Sequence, residues 1–201
     1  MRFQLIQGEW FRCLLGRFAA SGVTDVVVSP GSRSTPIVAA AHADPRLSVT
    51  AVHDERSAAF FALGRARATR RPTVLVRTSG TAAAHDYAAV IEASEDHVPL
   101  VVVSADRPFE LQASGAPQTT DQRGLFGRFV RLELELGLAD AAGLPGLDRS
   151  AARAVHRSQA PVPGPVHVNA RARKPLEPTA PATDDERALH APAARGKIAP
   201  R

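Results

Sequence analysis

Four short stretches of this 201-residue chain gather side chains able to bind anions or move protons. The first reads Ser-Pro-Gly-Ser-Arg-Ser-Thr-Pro over residues 29–36. A Pro-Gly turn that leads through hydroxyls into a helix start offers backbone N–H groups and the positive end of the helix dipole to an anion. Arg33, flanked by Ser32 and Ser34, adds a planar fork suited to a carboxylate or phosphate. The second stretch is His53-Asp54-Glu55-Arg56-Ser57. A carboxylate there, ahead of a helix carrying Phe60 and Phe61, is expected to be partly buried and suited to sharing a proton, or else to cap the helix. The third is Thr78-Ser79-Gly80-Thr81-Ala82-Ala83, whose small residues let a flat ligand approach the backbone. It is not a nucleophile elbow, because Arg77 stands two residues before Ser79, and no Gly-Lys-Ser/Thr follows to make a Walker loop. The fourth, Ala105-Asp106-Arg107-Pro108, offers Arg107 as a second anion fork, with Asp106 placed to hold it and a polar run at 114–122 beyond.

Each stretch follows a short apolar run: DVVVS (25–29), LSVTAV (47–52), TVLVRT (73–78) and LVVVS (100–104). VRLELEL (130–136) and PVHVN (165–169) continue the series. Between these runs the period changes to that of helices. Trp10, Phe11, Leu14, Leu15 and Phe18 form one apolar stripe, with Gly22 at the C-terminal glycine position. Thr35 and Pro36 open a second helix through Ala43, and further helices are expected at 57–69 and near 147–158. Short β-branched runs alternating with helices predict an α/β fold, an open doubly wound parallel sheet of about six strands with helices on both faces. In such sheets ligands bind outside the carboxyl ends of the strands, where all four stretches fall.

Composition narrows the function classes. The one cysteine, Cys13, lies on the first apolar stripe and excludes an internal disulfide framework. No apolar run is long enough to span a membrane, and Gln4, Gln7 and Glu9 interrupt the amino terminus as a secretory signal, so a cytoplasmic location is expected. The seven histidines show no HExxH spacing, and no metal ligands are expected on this chain. The net charge of +5 arises within residues 151–201, which also hold half of the 16 prolines. Residues 178–201 read as a basic, Pro/Ala-rich, poorly ordered tail rather than a nucleic-acid contact.

SPGSRSTP, DERSAAFFALG, TSGTAAA, VIEA, SADRPFEL, GAPQTTDQRGLFG and PGPVHVN occur in one order between about residues 8 and 177. Together they resemble the amino-terminal, pyrimidine-binding domain of the thiamine-diphosphate enzymes, and within these the menaquinone-pathway branch. The resemblance assigns residues 1–177 to that domain. It implies that Glu55 hydrogen-bonds N1′ of the cofactor's aminopyrimidine and relays the proton whose removal activates the thiazolium carbon. It implies that Ser79, Gly80 and Thr81 line the pyrimidine, and that Ser32, Arg33, Arg107 and Gln118 meet the carboxylates of 2-oxoglutarate and isochorismate. Mg²⁺ or Mn²⁺, in the family held by a diphosphate-binding domain, is expected on a missing segment or another chain. The protein is expected to form a homodimer or other homo-oligomer and to be inactive alone. The alternative is a non-catalytic dimerisation or regulatory module that kept the fold. His85, Ala88 and Gln112 depart from the family's usual Asn, Pro and Arg.

Overall fold

The apolar stripe of the amino terminus forms helix α1 (Phe3–Ala20) in a computed structural model that describes residues 2–190. Gly22, at φ +99°, turns the chain out of this helix into strand β1 (Asp25–Val28). Helix α2 (Thr35–His42) starts where Pro36 needs no N–H partner, one residue after Ser34, which takes the cap position expected of Thr35. Strand β2 (Ser48–Ala51), helix α3 (Glu55–Thr69), strand β3 (Thr73–Arg77), helix α4 (Tyr87–Glu95) and strand β4 (Leu100–Asp106) follow. Strand β5 (Leu132–Leu136), helix α5 (Leu144–Gln159) and strand β6 (Pro165–Arg171) complete the sheet.

All five strand pairs are parallel, in the order β2-β1-β3-β4-β6-β5. Every residue of β3, β4 and β6 is buried, as continuous apolar runs covered on both faces require. One face, through Val26, Val28, Val74, Val76, Val101 and Val103, packs on α1, α2 and α5. The other, through Val27, Leu75, Leu100 and Val102, packs on α3, α4 and Phe126. The fold is the α/β class expected from the alternating pattern. Strands β2 and β5 form the two edges.

The carboxyl-terminal stretch carries a helix the periodicity does not predict. Where the sequence reading places a poorly ordered tail from residue 178, helix α6 (Asp184–His190) forms. Thr183 and Glu186 cap its start reciprocally: the Glu186 N–H donates to Thr183 Oγ1 (3.3 Å), and the Thr183 N–H donates to Glu186 Oε2 (3.4 Å). Arg2 donates to both carboxylate oxygens of the buried Glu186, which ties this segment to the start of α1. Residues 191–201, the remainder of the expected tail, lie outside the described residues.

Candidate active site at the strand ends

The chain leaves β1 for β2 on one side and returns to β3 on the other, so the strand order reverses between β1 and β3. The two loops leaving these strands touch. A Cβ on Gly31 would lie 2.3 Å from Thr78 Cβ. Gly31 is extended (φ −178°), so this glycine is required by space and not by backbone conformation. Gly80 is required by both, because its φ is +88° and a Cβ there would sit 2.8 Å from Gln118 Cγ. Thr78 Oγ1 and Ser79 Oγ are buried where these loops meet, without a hydrogen-bond partner in the protein.

On the α3 side, the capping role the sequence leaves open falls to Asp54. Asp54 is exposed and caps the helix, its Oδ1 accepting the Ser57 N–H at 2.7 Å, and that bond holds its carboxyl below the usual range. Glu55 takes the first helical position and is half-buried. Phe60 and Phe61 face outward, 44% and 45% exposed, so the buried stripe of α3 is Ala58, Ala59, Ala62, Leu63 and Ala66.

Beneath Glu55 lies a pair that sequence reasoning missed. The fully buried guanidinium of Arg77 donates from Nε to both oxygens of the equally buried Asp86, at 2.9 and 3.0 Å. Its Nη1 reaches Ser29 Oγ (3.3 Å) and Val76 O (3.1 Å), and its Nη2 reaches Glu55 O (3.2 Å). Ser29 Oγ in turn donates to Val52 O at 2.9 Å. One cation thus ties the loops after β1, β2 and β3 together. Desolvation pushes the Asp86 carboxyl up to about 7 against the pull of Arg77, and the Glu55 charge adds to that rise.

On the β4 side the two arginine forks come together. Arg33 is buried rather than splayed at the surface: Nη1 donates to Ala172 O at 2.8 Å, and Nε has no partner in the protein. Burial, followed by the neighbouring Arg107, holds its guanidinium below the usual arginine value, against the opposing field of Asp106. Arg107 Nη2 donates to Pro117 O at 3.0 Å, and Gln118 Nε2 donates to Ser79 O at 3.1 Å, so the 114–122 segment folds back over the loop after β3. Asp106 does hold Arg107, through the Arg107 backbone N–H at 2.7 Å. Gln112, one of the three positions at which the sequence departs from the pattern it resembles, donates to Asp106 Oδ1 (3.3 Å) and Arg107 O (3.2 Å). Ser32, Thr81, His85 and Ala88 are exposed. The described residues contain no group of three or more His, Cys, Asp or Glu side chains arranged to hold a metal ion. A separate cavity of about 430 Å³ lies between α1, α2 and residues 176–180 and includes none of these groups.

The fold is that of a doubly wound α/β domain, with Arg33, Arg77 and Arg107 gathered at or just beyond the carboxyl ends of β1, β3 and β4. The chain belongs to the thiamine pyrophosphate enzymes, its residues 11–125 matching the family described as thiamine pyrophosphate enzyme, N-terminal TPP binding domain. It is similar to proteins named 2-succinyl-5-enolpyruvyl-6-hydroxy-3-cyclohexene-1-carboxylate synthase. The one from Sorangium cellulosum (strain So ce56) is 50% identical over 175 residues, which cover 86% of this chain and 28% of that protein. The one from Haloarcula marismortui is 52% identical over 178 residues, covering 88% of this chain and 30% of that protein. The one from Halobacterium salinarum strain R1 is 48% identical over 199 residues, covering 95% and 34%. The chain therefore spans a third or less of the length of these relatives, apart from the last, where it spans slightly more.

Proposed function

We propose that this chain is the pyrimidine-binding part of a synthase that decarboxylates 2-oxoglutarate and joins the remainder to isochorismate in menaquinone biosynthesis. The observation that carries the substrate class is Arg33: a buried guanidinium with an unpartnered Nε, near enough to Arg107 for the two charges to repel. Such a group is stabilised when a carboxylate enters, because the anion supplies the missing acceptor and offsets the repulsion between the cations. The β3 side fits thiamine diphosphate. Two buried hydroxyl oxygens there have no partner in the protein, and Gly80, at φ +88°, lets the loop after β3 pass close beneath Gln118.

When bound, the cofactor supplies the electron sink that decarboxylation needs. Glu55 shares a proton with the pyrimidine ring. Ser79, Gly80 and Thr81 present backbone and hydroxyl groups along the ring edge. Arg33 and Arg107, with Ser32 and Gln118 beside them, orient the substrate carboxylates. Mg²⁺ or Mn²⁺ and the diphosphate fall to a domain outside this chain. Full turnover then needs that domain, in a second chain or a further segment.

The test is a titration of the chain with 2-oxoglutarate, followed by NMR of the arginine side chains. Arg33→Ala and Arg107→Ala should each weaken binding by tenfold or more, on the order of the 1.5–3 kcal/mol of a charge-assisted hydrogen bond. Addition of thiamine diphosphate, Mg²⁺, isochorismate and a diphosphate-binding domain should then give turnover, and Glu55→Gln should abolish it. A folded chain that binds no dicarboxylate and supports no turnover with such a partner would instead be an association module.

A further inference from the structure

The 114–122 segment meets the loop after β3 through one buried side chain, Gln122, which is 1% exposed. Its Oε1 accepts the Gly80 N–H at 2.9 Å, while its Nε2 donates to Ala105 O (3.3 Å) and Asn169 Oδ1 (2.8 Å). A primary amide is used here at both ends, so no apolar side chain of the same length can replace it without leaving buried groups unpaired. Asn169 is fixed in turn. Its Nδ2 donates to Asp106 Oδ2 (2.9 Å) and Glu135 Oε2 (2.7 Å), which leaves Oδ1 facing Gln122 and the Ser104 hydroxyl (2.9 Å). Arg171 closes the far side, with Nε 2.7 Å from Glu135 Oε1 and Nη1 3.1 Å from Asp106 Oδ2. Asp106 Oδ1 then accepts the Arg107 N–H. A continuous hydrogen-bonded path therefore runs from the Gly80 amide through Gln122, Asn169 and Asp106 to the Arg107 amide.

We propose that Gln122 is a positioning residue that holds the Gly80 loop and Arg107 in one register, so that the ring-binding and carboxylate-binding halves of the crevice are set together. This rests on the reading above, in which the Ser79–Thr81 loop meets the cofactor and Arg107 meets the substrate. It adds a residue that touches neither.

The experiment is backbone amide exchange by NMR on the full chain, with 2-oxoglutarate binding measured on the same samples. Gln122→Met keeps the length and removes every polar contact. Exchange should speed by roughly tenfold at Gly80, as for one lost hydrogen bond, and should also speed at Arg107, whose amide Gln122 does not touch. Amides within β4 at Val101–Val103 should be unchanged, and 2-oxoglutarate should bind several-fold more weakly. Gln122→Asn, one methylene too short to span Gly80 and Asn169 together, serves if the methionine variant does not fold. Unchanged exchange at Arg107 would overturn the proposal, because Gln122 would then act only on its own contacts. Unchanged 2-oxoglutarate affinity despite faster exchange would overturn it equally. Should the unmodified chain bind no 2-oxoglutarate, the functional reading fails, and the two amides still decide whether Gln122 couples the loops.

Discussion

Replacing Arg77 and Asp86, singly and together, separates a buried ion pair from the packing around it. Both side chains are fully buried, and the carboxylate takes both of its oxygens to one Nε. Asp86→Leu strands a guanidinium that keeps only Ser29 Oγ, Val76 O and Glu55 O as acceptors, all neutral. Removal of one partner from such a pair costs about 3–5 kcal/mol, a large share of the 5–15 kcal/mol that holds a typical domain folded. Arg77→Leu strands the acid instead, and here pH matters. The Asp86 carboxyl is already pushed up to about 7 with Arg77 present, and loss of the cation moves it further in the same direction. The stranded group therefore takes up a proton as the pH falls, and Arg77→Leu should cost less at pH 5 than at pH 8. Asp86→Leu should show no such relief, because arginine stays charged throughout. The double leucine variant removes both charges and should recover most of the loss, leaving the three former acceptors of Arg77 as its main deficit. Urea denaturation of the four proteins at pH 5 and pH 8 is the assay, read as a double-mutant cycle. At pH 8, single variants that each cost less than about 1 kcal/mol, or a double variant equal to the sum of the singles, would refute the reasoning.

His167 is buried, and burial pushes its imidazole down to about 4 from an ordinary 6.5. The unfolded chain binds that proton more readily, so the stability carried by neutral His167 is complete above pH 6.5 and is lost as the pH falls towards 4, by roughly 3 kcal/mol. His167→Asn should flatten this part of the stability curve, and parallel curves for the two proteins would exclude the assignment. Gly31→Ala should cost about 1–3 kcal/mol through its clash with Thr78, measured by denaturation, and an unchanged midpoint would show that the two loops separate freely. Arg2→Ala should expose residues 178–190 to protease several-fold faster while the core up to residue 177 resists, and equal cleavage rates would mean that the Arg2–Glu186 contact does not dock the segment.

The strands and the four strand-end loops are legible because their cause is local. Val26–Val28, Val74–Val76 and Val101–Val103 are short apolar runs, all valine but for Leu75, and a parallel sheet buries such runs on both faces. Arg33 and Arg107 are legible for the same reason, each standing next to a strand end. The networks beneath them are not legible, because the fold and not the local pattern brings their members together. Arg77 reads as the polar end of a strand until the fold brings Asp86 under it. Gln122 and Asn169 are 47 residues apart and meet only because β6 inserts between β4 and β5, an order that periodicity does not encode. Phe60 and Phe61 mislead in the opposite sense, since the alanines beside them supply the buried face. Helix α6 did leave a local signal. Thr183-Asp184-Asp185-Glu186 is a capping-box sequence, hidden by the prolines around it.

The two edges of the sheet bear on how the protein survives at high concentration. An open sheet always ends in strands whose outer backbone groups can recruit a strand from another molecule. At one end this chain offers only the four residues of β2, three of them exposed and two of these hydroxylic. At the other end β5 alternates leucine with Glu133 and Glu135, the first carboxylate accepting the exposed Gly124 N–H and the second accepting from Asn169. A strand added beside β5 would have to accommodate these charges, and one added beside β2 would gain few backbone bonds. The domain should therefore resist edge-to-edge aggregation while its crevice end, built from loops, remains free to receive a ligand or another domain.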